Sequence, residues 1–198
     1  MKIDLHVHCR ERSSCSRASE TELLNAAVRA GLDALAFTDH DRLTPAARLE
    51  ALNRQYAPFR IFSGVEVTLP EEHIVVLGIQ NPALESLDWN YVSLWHYVRQ
   101  MGGFMTLAHP FRFHNYIGVP IDRYPPDAVE VHSINTAGSS EQRICDLAAR
   151  LGISLLSDSD AHTTGPIGRY FNQVAADASN DAELISLLKR GQPELVKA

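Results

Sequence analysis

The sequence predicts an α/β fold closed into a barrel, and three observations carry that prediction. Short apolar runs alternate with amphipathic helical patterns along all 198 residues, the alternation that builds strand–helix units and mostly parallel sheets. Glycine follows four of the helical patterns, at Gly31, Gly102, Gly152 and Gly191, where a chain leaving a helix favours it. Histidines and acids gather where the apolar runs end. In a barrel the C-terminal strand ends converge on one mouth, whereas an open sheet would spread them along an edge.

Lys2 to Val7 reads as the first strand. Ser19, followed three residues later by Glu22, forms a capping box that opens a helix over Ser19 to Ala30. A strand over Ala34 to Thr38 and a helix over Pro45 to Tyr56 follow. The β-branched stretches Ile61 to Val67 and His73 to Ile79 read as strands separated by the turn-like LPEE. Trp89 to Met101 has helical periodicity, and Phe104 to Ala108 is a strand stopped by Pro110. Leu107 to Asp127 is the longest irregular segment and carries Pro110, Pro120, Pro125 and Pro126. It is predicted to form a rim that selects substrate. Its aromatic residues Phe111, Phe113, Tyr116 and Tyr124 either stack on a base or pack the loop. The strands Ala128 to Val131, Ile153 to Leu156 and Phe171 to Ala175, and the helices Ser139 to Arg150 and Asp181 to Lys189, complete a single domain over residues 1–198.

Hydrophobic residues make up 45% of the chain and charged residues 21%, the balance of an ordinary globular protein. No apolar run approaches the roughly 18 residues of a membrane span, and the N-terminus MKIDLHVH has no apolar leader. The cysteines Cys9, Cys15 and Cys145 form no C-x-x-C pair, so a reducing, cytoplasmic setting is expected. A net charge of −6 gives no general attraction for nucleic acid or anionic lipid. It still permits a nucleotide substrate where metal adds local positive charge. Only Lys2, Lys189 and Lys197 are lysines, so anions must be held by arginine, backbone amides or metal.

His6 and His8 sit two apart on a strand and therefore share a face, where two neutral imidazoles can bind one ion. Asp160 and His162, in LLSDSDAH, repeat that spacing, with Asp158 one layer deeper. His40 lies in FTDHD, as a ligand or as part of an N-cap cluster. Glu66 ends the run SGVEVT, His73 opens HIVVLG, and His109 lies in LAHP. Six of the nine histidines and two acids fall at strand ends or starts. Independent structural histidines have no reason to share that placement, so a polynuclear metal site is predicted.

Taken in order, DLHVH, FTDHD, GVEVT, HIVVLG, LAHP and DSDAH resemble the motif series of the PHP (polymerase and histidinol phosphatase) superfamily over residues 3–168. The resemblance implies a distorted (β/α)7 barrel with two or three divalent ions (zinc, manganese or iron) at its mouth, and phosphoester hydrolysis. It implies that His6, His8, Glu66 and Asp160 hold one ion, and that Glu66 bridges to a second ion held by His73 and His109. His40 and His162 would hold a third, usually with an Asp or His shortly after the first motif. Here that position falls near Cys15, either a thiolate ligand or a bystander. The rival barrel class, the amidohydrolases, often bridges its metals with a carboxylated lysine. No lysine lies between Lys2 and Lys189, and Glu66 can serve instead.

The expected reaction is attack of a metal-activated hydroxide on phosphorus. Glu66 and Asp160 are its central carboxylates, and His162 or His40 protonates the leaving group. Asp39 and Asp158 orient ligands from behind. Arg112, directly after LAHP, is the first candidate for the substrate phosphate. Arg10, Arg169, His114 and His132 are further candidate contacts, with Glu130 at the same parity as His132. The expected partner is a small phosphorylated metabolite or nucleotide, with a short oligonucleotide or a regulatory module without turnover as alternatives.

Overall fold

A computed structural model describes residues 1–198. The strands are β1 (Lys2–Val7), β2 (Ala34–Phe37), β3 (Arg60–Thr68), β4 (His73–Leu77), β5 (Phe104–Leu107), β6 (Ala128–His132), β7 (Ser154–Ser157), β8 (Tyr170–Gln173) and β9 (Glu194–Lys197). The helices are α1 (Glu20–Arg29), α2 (Ala46–Tyr56), α3 (Tyr91–Met101), α4 (Glu141–Leu151) and α5 (Asp181–Arg190). All strands join one sheet in the order β7-β6-β5-β4-β3-β2-β1-β8-β9.

Two expectations need correction. The sheet has nine strands rather than seven, and it is not mostly parallel. Pairs β1–β2, β2–β3, β5–β6 and β6–β7 are parallel, but β1–β8, β3–β4, β4–β5 and β8–β9 are antiparallel. The reason is visible in the linkers. Leu69–Glu72 is too short for a crossover, so β3 and β4 can only form a hairpin.

The sheet curls until its ends meet. The Ser157 hydroxyl on β7 donates to the Val196 carbonyl on β9 at 2.7 Å. The buried Asn172 amide on β8 copies a strand ladder, accepting from Ser157 N at 2.9 Å and donating to Ser157 O at 2.9 Å. One side chain thus satisfies backbone groups that closure would otherwise strand.

The helices cover the sheet with the apolar faces that their periodicity predicts. Leu23, Leu24 and Leu52 of α1 and α2 pack on Leu35 and Phe37. Leu94, Val98, Ile144 and Leu147 of α3 and α4 pack on Val76, Met105, Val129 and Val131. Leu184, Ile185 and Leu188 of α5 join Leu77 and Phe104. The Ser19–Glu22 capping box is formed, a feature worth about 1 kcal/mol. Gly102 and Gly152 are left-handed at their helix ends, whereas Gly191 is extended.

Gly64 matters for the site because it lies two residues before Glu66 on β3. A Cβ there would stand 2.5 Å from the Val76 carbonyl and 2.6 Å from Leu77 Cδ2. The carbonyl belongs to the paired strand and cannot swing away. Gly64→Ala is therefore expected to cost about 1–3 kcal/mol, read as a lower urea midpoint at unchanged slope.

Candidate metal centre

The side chains singled out at strand ends converge on one buried cluster. His6 and His8, at the end of β1, are fully buried, with ring centroids 5.0 Å apart. His6 Nδ1 donates to Glu130 Oε2 at 2.8 Å. That bond fixes the tautomer and aims Nε2 at the centre, as a carboxylate behind a ligating histidine does. His8 Nε2 lies 3.0 Å from His6 Nε2, 3.2 Å from Glu66 Oε2 and 3.1 Å from Asp160 Oδ1.

Glu66 occupies the middle. Its Oε1 lies 3.0 Å from both His73 Nδ1 and His109 Nε2. Its Oε2 faces His40 Nδ1 at 3.1 Å, His8 Nε2 at 3.2 Å and His6 Nε2 at 3.4 Å. Each oxygen thus addresses a different set of imidazoles. The chain reaches this arrangement with two left-handed non-glycine residues, His109 at φ 27 and Asp160 at φ 50. Such backbones cost about 1–3 kcal/mol each and persist where the surroundings over-determine them. Asp160 therefore does not share a strand face with His162 as its spacing suggested, because β7 ends at Ser157. The two meet all the same, His162 Nδ1 lying 2.9 Å from Asp160 O and 3.6 Å from its Oδ1.

The donor set fits divalent ions. Glu66 Oε2, Asp160 Oδ1 and His109 Nδ1 are buried without a hydrogen-bond partner, a costly state for polar atoms unless something else binds them. The separations of 3.0–3.5 Å among the Nε2 atoms of His6 and His8 and the two carboxylate oxygens match an ion with bonds of about 2.0–2.1 Å, whose tetrahedral ligands stand ~3.3 Å apart. Three groups of donor atoms lie within 4.8 Å of one another: His6, His8 and Asp160; His40, Glu66 and His73; and His8, Cys15, His40 and His162.

Charge explains why the cluster tolerates burial. Burial pulls His6 down, but Asp160, Glu66 and Glu130 outweigh it and hold the imidazole well above its ordinary value. Burial likewise opposes His8, which contacts with Asp160 and Glu66 raise to about 9. Burial pushes Glu66 up, yet His6, His109 and His73 hold it well below the carboxylate range. Protons on His6 and His8 thus do in this state what cations do for buried carboxylates. His40 is different: burial pulls it down to about 4. His162 is also lowered, by burial and then by His8. Both are neutral near pH 7, the form that ligates.

Beside the expected Asp39 and Asp158, three supporting groups had no role assigned from the sequence: Glu130 behind the histidines, Asn135 and Ser13. Glu130 also accepts from His109 N at 3.3 Å, so one carboxylate orients two candidate ligands. Asn135 donates to Asp160 Oδ2 at 2.6 Å. Ser13 donates to Asp39 at 2.7 Å and accepts from His40 N at 3.0 Å. Asp39 also accepts from Cys9 N and Arg12 Nε, and it therefore orders the loop after β1. Asp158 lies a layer deeper, accepting from Leu5 N and Asn172 Nδ2. Of Glu130, Asn135 and Ser13, only Glu130 carried a sequence signal, as an acid within the apolar run AVEVH.

The substrate candidates divide. Arg112 Nη1 lies 3.8 Å from Asp160 Oδ2 with its side chain partly open to solvent. Phe113, 47% exposed, sits with its ring 5.0 Å from that of His73. The structure does not bring the others to the cluster. A bulge between Glu130 and His132 breaks their common parity, and His132 instead faces Glu141 at 3.3 Å and stacks near Tyr170. His114 stacks on Tyr116. Arg10 donates to Arg17 O, and Arg169 is exposed beyond the Gly168 turn.

Comparison with known proteins fits this architecture. The structure of PsfC from Pseudomonas syringae superposes with a TM-score of 0.74 at 22% identity, covering 100% of this chain and 91% of that one. A two-domain Bacteroides vulgatus protein containing a predicted PHP-like metal-dependent phosphoesterase superposes at 0.71 and 15% identity, over 100% of this chain and 64% of that one. The chain has the PHP fold. A family model described as PHP-associated matches residues 138–193, a stretch that includes α4, β7, β8 and α5. The lesion-specific endonuclease PfuEndoQ from Pyrococcus furiosus also shares the fold, with a TM-score of 0.69 at 18% identity, over 98% of this chain and 57% of that one. No curated protein matches the chain. No helix in it is long and apolar enough to cross a membrane.

Proposed function

We propose that this chain is a metal-dependent hydrolase of phosphate esters acting on a small phosphorylated metabolite or nucleotide. The observation that carries this reading is the bridging posture of Glu66, whose two oxygens face separate imidazole sets at 3.0–3.4 Å. His6, His8 and Asp160 would hold one divalent ion with Glu66, and His73 and His109 the second. His40 and His162 belong to a third position. When bound, such ions supply Lewis acidity and a hydroxide near neutral pH.

The chain's own residues do the rest. Arg112 can hold a phosphoryl oxygen and keep the ester beside Asp160. Glu130 and Asn135 fix the orientations of His6 and Asp160, so little reorganisation is needed during turnover. His162 and His40, kept neutral, serve as ligands rather than acids, which leaves solvent to protonate the departing alkoxide. From the segment after β5, Arg112 and Phe113 border the cluster, and Phe113 offers a ring to an aromatic leaving group.

The test is metal analysis of the purified protein with a panel of phosphomonoesters, phosphodiesters and short oligonucleotides, alongside His8→Ala. Monoester turnover that His8→Ala abolishes is expected. Faster cleavage of oligonucleotides would favour the nuclease reading, and bound metal without turnover a regulatory module. Arg112→Ala is expected to raise KM for a phosphomonoester about tenfold or more with a smaller change in kcat, since a charge-assisted phosphate contact is worth roughly 1.5–3 kcal/mol. Unchanged KM would remove Arg112 from the site.

A further inference from the structure

The third position of the cluster contains sulfur. Cys15 Sγ shares a space within 4.8 Å with donor atoms of His8, His40 and His162. His8 is already committed, because its Nε2 faces His6, Glu66 and Asp160 at 3.0–3.2 Å. The remaining donors are therefore two imidazoles and one thiol. The His8 ring packs against those of both His40, at 4.7 Å, and His162, at 4.3 Å, whose own centroids are 6.4 Å apart, so the two imidazoles lie side by side near the thiol.

The loop that carries Cys15 is built rather than slack. Ser13 N bonds Cys9 O at 2.9 Å, and Ser16 N bonds Ser13 O at 3.0 Å, closing consecutive turns. Ser16 is buried, and its hydroxyl lies 2.8 Å from His8 O and 3.1 Å from His162 O. It ties the residue next to Cys15 to the backbone of two members of the group. Arg17 N adds a bond to His162 O at 2.9 Å. Asp39 holds the other end through Cys9 N, Arg12 and Ser13. Nothing in the hydrogen bonding of this loop uses the Cys15 thiol itself. The other two cysteines are placed differently: Cys9 is buried with its thiol donating to Asp39, and Cys145 lies on α4.

We propose that Cys15 is a metal-binding thiolate, and that with His40 and His162 it forms a sulfur–nitrogen site that selects a thiophilic ion such as zinc. Ion binding would release the thiol proton to solvent. Three protein ligands leave the fourth tetrahedral position open to water or a phosphoryl oxygen, as in catalytic rather than structural zinc sites. The neighbouring Glu66-bridged positions offer only nitrogen and oxygen, which also suit manganese or iron. The centre would then hold unlike metals, a thiophilic ion at the third position and a harder pair beside it. This inference rests on the metal-centre reading above.

The test uses the whole chain stripped of metal and titrated with Co²⁺, followed by absorption. A near-ultraviolet sulfur-to-cobalt charge-transfer band is expected in the wild type and in Cys145→Ser. It should be lost in Cys15→Ser, while the visible cobalt bands from the nitrogen and oxygen positions persist. Cys15→His should restore the wild-type number of bound ions without restoring the charge-transfer band. A band of equal strength in Cys15→Ser, or cobalt bound with no such band in the wild type, overturns the thiolate and leaves the Glu66-bridged centre standing. No cobalt bound by the wild type overturns both. Circular dichroism of Cys15→Ser separates loss of the ligand from loss of the fold.

Discussion

Glu66→Gln is expected to abolish hydrolysis, lowering kcat by about 10³-fold or more, and to strip the protein of most of its metal. The substitution keeps the volume of the side chain and removes only its charge and one acceptor oxygen. In the native cluster that oxygen is one of two through which five imidazoles share a single carboxylate, at 3.0–3.4 Å. An amide would turn its NH₂ toward one set of those nitrogens and could not bridge two cations. Elemental analysis and steady-state kinetics on the same preparation give the readout, with circular dichroism to confirm the fold. Two ions retained at wild-type affinity would overturn the bridging role, whatever happened to the rate. A glutamate acting only as a general base gives a different pattern, with kcat falling and metal content unchanged.

The strands were legible because each is a short apolar run with a glycine, proline or acidic turn at its edge. Those expected to begin at Lys2, Ala34, Ile61, His73 and Phe104 begin in the structure within one residue of that position. The ninth strand was not legible. Glu194–Lys197 has only two apolar residues, both partly exposed, and its place is set by pairing with β8 and by the Ser157 bond rather than by its own pattern. Strand direction was half legible. The short linker after Thr68 already required a hairpin, but the antiparallel entry of β5 beside β4 across α3 has no local signature. In the site, period-two spacing brought His6 and His8 together, even though the β1–β2 register shifts between Asp4 and Val7. The same rule misled at Asp160, where φ 50 re-aims the side chain, and at His132, where the bulge after Glu130 does. Positive φ at aspartate and histidine and a one-residue bulge are imposed by tertiary packing, and spacing cannot reveal them. Glu130 and Asn135 were hidden for another reason. Each acts through a partner more than twenty residues away in sequence, His6 and Asp160 respectively.

Stripping the metal should make stability pH-dependent in a direction opposite to ordinary acid denaturation. In the metal-free protein His8 is raised from 6.5 to about 9, and His6 is raised as well. Groups raised on folding contribute stability that is complete below their unfolded value and lost as pH climbs through the folded one. His6 and His8 should therefore weaken the chelated protein by roughly 3 kcal/mol between about pH 6.5 and pH 9, whereas His40 and His162, lowered on folding, work the other way below pH 6.5. Glu66 and Asp160, both lowered, set the acid limb: their contribution is present above the usual carboxylate range and is lost as pH falls below it. The imidazole and carboxylate shifts express the same attractions, so the two do not add. Divalent ions bound at His6 and His8 would replace those protons, and their affinity would rise as the protons leave. The stabilisation conferred by zinc or manganese over chelator should thus grow steadily between pH 6.5 and 9, measured as urea midpoints of matched samples. Parallel curves would mean that the imidazoles around Glu66 are not where the ions bind. A gap that widens with pH in the wild type and closes in His8→Ala would place proton and metal on the same ring nitrogen.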